Sequence, residues 1–269
     1  MKLILENWQK YIDEGMVDDQ HNFKYYAFDW DDNLVEMPTK IVLLDKSGKE
    51  VFMGTEDFAD YRGMIGKEEF DYEGSIVKDY AQNPFRNFRV AGDAQFLKDV
   101  QNIESDQLAP SWDDFVECIN TASIFAIITA RGHAPETLEE AVRYLIDNNI
   151  HGIDKTAVFD SMKKYRKLFG KRPIENEDEA IEKYLSLCKF YPVSFGPAAS
   201  MSSPEQAKVI ALEEFVDYCK KLNQQMPIKV GFSDDDKKNI DLISKHFGEP
   251  REFVSMTIKY TGKQHGEKK

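Results

Sequence analysis

The stretch YYAFDWDDN, residues 25–33, joins a short aromatic and apolar run directly to a cluster of acidic residues. A run of this kind, bounded by polar loop residues, predicts a buried β-strand that opens into a loop. A second stretch, IKVGFSDDD at residues 228–236, has the same form. We therefore expect two strands that each end in a tight group of carboxylates.

Strands and helices alternate around these two stretches. Periodicity predicts helices around 112–120 and 138–146, with the apolar strand Ile124–Ile128 between them. The stretch SPEQ, residues 203–206, supplies an N-cap, a proline at the first helical position and a capping-box glutamine for a further helix. Short strands are predicted at 193–195 and 253–260. The alternation predicts an α/β fold with a three-layer, Rossmann-like core around a parallel sheet.

Two parts of the chain depart from that alternation. Residues 38–107 begin with a predicted hairpin, 41–44 and 51–53, and continue as an irregular α+β segment rich in Tyr and Phe. We interpret 38–107 as a flap and cap insertion, and 1–37 with 108–269 as the core. A charged helical stretch at 160–190 is a candidate second insertion, and Leu3–Met16 has the spacing of an amphipathic helix.

The two acidic clusters are candidates for one shared site, because open parallel sheets bind ligands at the carboxyl ends of their strands. Crowded carboxylates repel one another, and a hard divalent cation such as Mg²⁺ relieves that repulsion through oxygen ligands. A carboxylate can also attack phosphorus while the metal offsets the charge of the phosphate. A phosphoryl group needs a cation and a hydroxyl donor beside it, and Lys208 and Thr129 both follow predicted strands.

FDWDDNL, residues 28–34, resembles the first motif of the haloacid dehalogenase (HAD) superfamily. The resemblance implies that Asp29 is the nucleophile, and that Asp31 is the general acid and base while its backbone carbonyl ligates Mg²⁺. The superfamily usually has a small residue at the position of Asp32, and threonine or valine at the position of Asn33. These two residues are departures, although Asn33 can still donate the hydrogen bond that a threonine would.

Three further stretches resemble the remaining motifs in order. IITARG, residues 127–132, is similar to the second, which implies that Thr129 binds the phosphate and that Ala130 and Arg131 contact substrate beside it. Lys208 matches the third motif and would bind substrate as well. GFSDDD, residues 231–236, is similar to the fourth. The resemblance therefore implies Asp29 and Asp31 as metal ligands. From the fourth motif, Asp234 is the first choice of ligand and Asp235 the second, because Asp236 is expected to enter the helix.

Several of these residues also have a plainer interpretation. Thr129 alone is typical of a helix cap, and a lysine in a first helical turn usually faces solvent, which leaves Lys189 and Lys229 as lesser candidates. Arg131 and His133 share a loop in which a surface position is as well supported as contact with substrate. The aromatic residues of the insertion either contact substrate, with Arg86 and Arg89 holding a phosphate, or form a small core of their own; the core is favoured.

Composition limits the partners. With 48 acidic and 35 basic residues, the formal charge of -13 would repel a polynucleotide, since no basic cluster is visible. The three cysteines have no metal or redox spacing, which favours a reducing compartment. No apolar run approaches the roughly 18 residues that cross a membrane. We expect a cytoplasmic protein without membrane contact.

Together these features predict a Mg²⁺-dependent phosphatase of the HAD type that acts on a small phosphate monoester, such as a nucleotide or a sugar phosphate. Two alternatives remain, a phosphatase for polynucleotide ends and a binding or scaffold protein that kept the fold without activity. A dehalogenase is disfavoured, because those enzymes lack the second aspartate of the first motif and Asp31 is present.

Overall fold

Two separate sheets are present among the residues that the computed structural model describes, 23–168, 171–196, 203–223 and 226–262. The strands are β1 (Phe23–Phe28), β2 (Ile41–Asp45), β3 (Glu50–Met53), β4 (Phe70–Tyr72), β5 (Ser75–Tyr80), β6 (Phe125–Thr129), β7 (Lys189–Pro192), β8 (Ile228–Asp234) and β9 (Val254–Tyr260). The helices are α1 (Thr55–Tyr61), α2 (Asp93–Gln101), α3 (Trp112–Asn120), α4 (Pro135–Asp147), α5 (Lys155–Leu168), α6 (Glu177–Leu187), α7 (Pro204–Leu222) and α8 (Lys237–Phe247).

The larger sheet confirms the predicted α/β arrangement with a parallel sheet. Its order is β7-β6-β1-β8-β9, and all neighbouring strands run parallel. Phe125 and Ile127 of β6 pack on one face, against helices from α2 to α6, while Ala126 and Ile128 pack on the other, against α7 and α8. Strands covered on both faces have no solvent side, and this is why they are continuous apolar runs in the sequence.

The predicted hairpin is confirmed, and it belongs to a smaller antiparallel sheet of order β3-β2-β5-β4. Asp45 closes the turn, because its Oδ1 accepts from the backbone N–H of Ser47 at 2.8 Å and of Lys49 at 2.9 Å. The sheet has its own apolar core, in which Tyr61 stacks on Phe70 with 4.8 Å between ring centroids. For these rings the favoured interpretation, a small aromatic core, is confirmed.

The end of the predicted insertion packs elsewhere. Phe96 and Val100 of α2 lie in the core of the larger sheet, and the Phe96 ring meets Trp30 with 5.5 Å between centroids. Helix α2 therefore covers the parallel sheet, whereas 38–107 was predicted to belong to the insertion throughout. The placement of α2 cannot be read from composition, because an amphipathic helix of this kind could cover either of the two cores.

The helical stretch predicted at 160–190 consists of α5 and α6. Both bury apolar side chains in the larger core, among them Val158, Met162 and Tyr184. Asn176 caps α6 by accepting from the backbone N–H of Glu179 at 2.9 Å. The two helices thus complete one face of the parallel sheet.

The strand predicted at 193–195 is wrong. The strand is β7, Lys189–Pro192, and the chain turns directly after it, where the N–H of Phe195 donates to the carbonyl of Pro192 at 2.9 Å. Proline has no N–H for a ladder, and Pro192 is tolerated because β7 is an edge strand of the sheet. The apolar run that forms the strand is Phe190-Tyr191, which lies earlier than the run chosen from the sequence.

The other structural predictions have mixed outcomes. Cys118, Cys188 and Cys219 are buried free thiols. Among the described residues, no helix has the length and apolar character needed to span a bilayer. The amphipathic helix predicted at Leu3–Met16 falls outside the described residues.

Candidate functional site

The carboxyl ends of three adjacent strands, β1, β6 and β8, open onto one cavity of about 230 Å³. Asp29 follows β1, Thr129 ends β6, and Asp235 follows β8. All three line the cavity, together with Lys208 from near the start of α7. The two acidic clusters found in the sequence therefore belong to one site.

Lys208 joins these clusters. Its side chain is 2% exposed, and Nζ lies 2.8 Å from Asp29 Oδ2 and 2.7 Å from Asp234 Oδ2. Burial disfavours the ammonium, but the charges of Asp234 and Asp29 outweigh burial and raise the pKa of Lys208 above its ordinary value. The solvent-facing interpretation is wrong for this lysine, and the lesser candidates Lys189 and Lys229 do not line the cavity.

Asp29 is held at only one of its two carboxylate oxygens. Oδ2 pairs with Lys208, while Oδ1 is buried and has no hydrogen-bond partner among the described residues. Burial raises the pKa of Asp29 to about 7, with the charge of Lys208 opposing that shift and the charge of Asp234 adding to it. Buried polar atoms are rarely left without a partner, so this oxygen is available to a metal ion or an electrophile.

Asp29, Asp234 and Asp235 form a group of carboxylates that can hold a metal ion, with one oxygen from each within 4.8 Å of the others. Burial, and then the charges of Asp29 and Asp234, raise the pKa of Asp235 to about 9. A hard divalent cation would relieve this repulsion, and oxygen-only ligands suit Mg²⁺. Asp236 stands outside the group as the N-cap of α8, where it accepts from the N–H of Lys238 at 2.9 Å.

Asn239 orients Asp234. Its Nδ2 donates to both carboxylate oxygens, at 2.9 and 3.0 Å, and the backbone N–H of Asp236 donates to Oδ1 at 2.9 Å. Sequence reasoning missed Asn239. The available signal was its place in the first turn of α8, directly behind the acidic cluster, where an amide can turn back toward the strand end.

The carboxylate of Asp31 lies outside the metal-binding group and pairs with Arg131 instead. Arg131 donates through Nε to Asp31 Oδ2 at 2.8 Å and through Nη2 to Oδ1 at 2.6 Å, a bidentate contact. The Arg131 side chain is fully buried, and its guanidinium lies 4.9 Å from the ring centroid of Phe88 and 4.8 Å from that of Phe96. The surface interpretation of Arg131 is wrong.

His133 is buried behind Arg131 and supports it. Its Nε2 lies 3.1 Å from Arg131 Nη1, and its Nδ1 lies 2.6 Å from Asp93 Oδ1. Burial, and then the charge of Arg131, lower the pKa of His133, which favours the neutral ring. Asp93 comes from α2 and also accepts from the hydroxyl of Thr137 at 3.0 Å, so this helix braces the loop after β6. The surface interpretation of His133 is wrong as well.

Thr129 and Ala130 both line the cavity. The Thr129 side chain is buried, and its hydroxyl accepts from the backbone N–H of Arg131 at 3.3 Å. Thr129 does not cap the next helix, because the N-cap of α4 is Ala134. Its predicted contact with phosphate remains a prediction.

Asn33 ties the loop after β1 to its surroundings. Its Nδ2 donates to the Asp29 carbonyl at 3.0 Å and to Ser233 Oγ at 3.1 Å, so it does donate as expected. Its Oδ1 accepts from the hydroxyls of Ser111 at 3.0 Å and Thr261 at 2.7 Å. Sequence reasoning missed these three hydroxyl partners, which come from distant parts of the chain.

Asp32, the other departure from the motif, faces the cavity and the insertion. It adopts a positive φ of 56°, and its side chain is hydrogen-bonded to Thr55 at the start of α1. Burial, followed by the charge of Asp31, raises the pKa of Asp32 to about 7. The unusual residue thus links the loop after β1 to the insertion.

We compared the chain with family models, with curated proteins and with solved structures, and none of them matches it. Its function is therefore inferred from the residues of the cavity and from the motifs that they form.

Proposed function

We propose that this chain is a Mg²⁺-dependent phosphohydrolase of the HAD type that cleaves a small phosphate monoester. The main support for this proposal is the hydrogen bonding of the Asp29 carboxylate. Buried Lys208 holds its Oδ2, while Oδ1 is left without a donor beside a cavity that Thr129 and Asp235 also line. A nucleophilic carboxylate needs this combination of fixed orientation and one free oxygen.

The proposed reaction begins when Asp29 attacks phosphorus. The bond from phosphorus to the leaving oxygen breaks, an aspartyl-phosphate forms, and Asp31 gives a proton to the leaving oxygen. Asp31 then takes a proton from the water that attacks the intermediate, which releases inorganic phosphate and restores the Asp29 carboxylate.

Other residues of the cavity balance and position charge during these steps. Lys208 offsets the charge of Asp29 and of the phosphoryl group, and the Thr129 hydroxyl with the loop at Ala130 would donate to phosphoryl oxygens. Mg²⁺ bound by Asp29, Asp234, Asp235 and the backbone carbonyl of Asp31 would neutralise further charge on the phosphate.

We assign Arg131 to positioning rather than to substrate contact. Three of its nitrogens are engaged by Asp31, Thr39 and His133, with 3.0 Å from Nη2 to Thr39 Oγ1. Its bidentate contact fixes the orientation of the Asp31 carboxylate, which is the proposed acid and base. The predicted substrate-binding set then reduces to Thr129, Ala130 and Lys208.

The test is release of inorganic phosphate from an aryl phosphate, with and without Mg²⁺. We expect turnover only with the metal, and a loss of about 10³-fold or more in Asp29→Asn, because the nucleophile is removed. Asp217→Asn is the matched control, since Asp217 is an exposed aspartate on α7. Absence of turnover by the wild type across a broad phosphomonoester panel would refute the proposal and favour the binding or scaffold alternative.

A further inference from the structure

The two walls of the cavity differ in charge. The wall from the parallel-sheet core carries several carboxylates, among them Asp29 and Asp235. Over its described residues, the wall from the antiparallel insertion contributes apolar side chains, one threonine and two arginines, with no acidic side chain. The insertion as a whole has more acidic than basic residues. The presence of arginines alone among the charged side chains of this wall therefore does not follow from the composition of the insertion.

Arg89 is the first of these arginines. It lies against the loops that follow β6 and β7. Its guanidinium donates to the carbonyl of Ser194 after β7, and a Cβ added to Gly132 after β6 would meet Nη1 at 2.5 Å. Within the described part of the chain, no carboxylate forms an ion pair with Arg89. Arg86, three residues earlier, pairs with Glu50 at 2.7 Å and does not line the cavity.

Arg62 is the second arginine, at the end of α1. Its Nη2 pairs with Asp236 at 2.8 Å, which leaves the guanidinium beside the acidic loop. Its Nε is buried and has no hydrogen-bond partner among the described residues. A buried N–H without an acceptor is unfavourable. Arg62 also lines the cavity, where its guanidinium can meet an anion.

The cavity that both arginines line suits a compact organic group. Ile41, Phe58 and Phe85 also line this cavity, and the last two rings meet edge to face with 5.5 Å between centroids. The cavity volume of about 230 Å³ is below the roughly 300–1,000 Å³ of sites for drug-sized ligands. A small group with an apolar body therefore fits the cavity.

We infer that the insertion supplies a second anion-binding subsite, in which Arg89 and Arg62 recognise a carboxylate or phosphate on the leaving group of the substrate. The inference rests on the proposed phosphohydrolase function and specifies its substrate class. The preferred substrates are small organic phosphate monoesters that carry a second anionic group. The core binds the phosphoryl group that is transferred, and the insertion recognises the leaving group.

The experiment compares phenyl phosphate with 4-carboxyphenyl phosphate in the wild type, Arg89→Gln, Arg89→Lys and the matched control Arg86→Gln. Arg89→Gln removes the charge, and we expect it to lower kcat/KM for the carboxylated ester about tenfold more than for phenyl phosphate. Arg89→Lys keeps a charge and should lose about threefold. Because each variant is compared across the two esters, differences in their intrinsic reactivity cancel, and thermal unfolding midpoints verify that the variants are folded.

Selective loss for the carboxylated ester, absent in Arg86→Gln, supports the subsite. Equal losses for both esters, or an effect no larger than that of Arg86→Gln, would overturn it. If the wild type hydrolyses neither ester, the proposed function fails and the subsite is judged by calorimetric binding of benzylphosphonate and 4-carboxybenzylphosphonate with Mg²⁺. An Arg89-dependent preference for the carboxylated phosphonate then supports the subsite, and equal affinities or no binding of either phosphonate overturn it.

Discussion

The loops of the parallel sheet and the antiparallel insertion handle charge in opposite ways. In the loops, the ion pairs of Lys208 and Arg131 are almost closed to solvent, with the cationic side chains 2% and 0% exposed. In the insertion, Lys46 pairs with Glu69 at side-chain exposures of 55% and 44%. Buried charges hold one another in fixed positions, whereas exposed pairs contribute little and rearrange easily. Fixed and adaptable ion pairs thus lie in different parts of the chain.

The largest effect that separates the two regions should come from Lys208→Met. The substitution leaves the buried carboxylates of Asp29 and Asp234 without their cation, and we expect a loss of about 3–5 kcal/mol in the free energy of unfolding. Lys46→Met in the insertion should change stability by no more than about 0.5 kcal/mol. Urea unfolding of both variants without Mg²⁺ measures the difference.

The loss in Lys208→Met should be smaller at pH 5 than at pH 8. Burial favours the protonated form of Asp29, and a neutral carboxyl group needs no cation beside it. Equal stabilities of Lys208→Met and Lys46→Met would contradict the distinction between the two regions.

An intermediate effect should appear in the dependence of stability on pH. The pKa values of Asp29 and Asp32 are raised to about 7 and that of Asp235 to about 9, against roughly 3.9 in an unfolded chain. Between pH 6.5 and 8.5 the folded state therefore binds more protons than the unfolded state. Its stability must fall as the pH rises, by roughly 1–3 kcal/mol per pH unit without metal.

His133 acts in the opposite direction. Its pKa is lowered, so below about pH 6.5 the unfolded state binds a proton that the buried neutral ring does not. This single proton reduces the slope set by the three carboxyl groups but does not reverse it. Thermal or urea unfolding across the window measures the slope. Asp235→Asn should reduce it and Mg²⁺ should flatten it, while Asp217→Asn leaves it unchanged. A stability that increases with pH over this range would contradict the expected charge distribution.

The parts that could be predicted from the sequence are those in which local pattern determines position. Asp29 follows the apolar strand β1 and Asp234 ends the apolar strand β8, and parallel pairing alone brings such strand ends together. The hairpin at Asp45 and the N-cap at Ser203 likewise depend on neighbouring residues, and both are present. The local pattern gave the wrong strand at β7. Two short apolar runs are adjacent in the sequence there, and only pairing within the sheet determines which of them forms the strand.

The partners of the site residues depend on contacts between distant parts of the chain. Arg131 is separated from Asp31 by 100 residues, and Asn33 from Thr261 by 228. Asp93 reaches His133 only because α2 packs on the larger core and not in the insertion. No periodicity or spacing carries this information, so the surface interpretation of Arg131 and His133 could be corrected only by the fold.

A smaller effect than those at the cavity is expected in the insertion, at Gly48 in the turn between β2 and β3. Gly48 has a φ of +83°, and a Cβ added there meets nothing within 4 Å, so any cost of Gly48→Ala is conformational. We expect about 1 kcal/mol, because an L-residue is strained at this φ. Gly63→Ala is the matched control, since Gly63 is equally open but lacks the positive φ, and it should be neutral or slightly stabilising. Urea unfolding distinguishes the two variants. Activity should be unchanged in both, because this turn touches neither wall of the cavity. A loss of turnover in Gly48→Ala would show that the insertion is less independent of the core than its exposed ion pairs indicate.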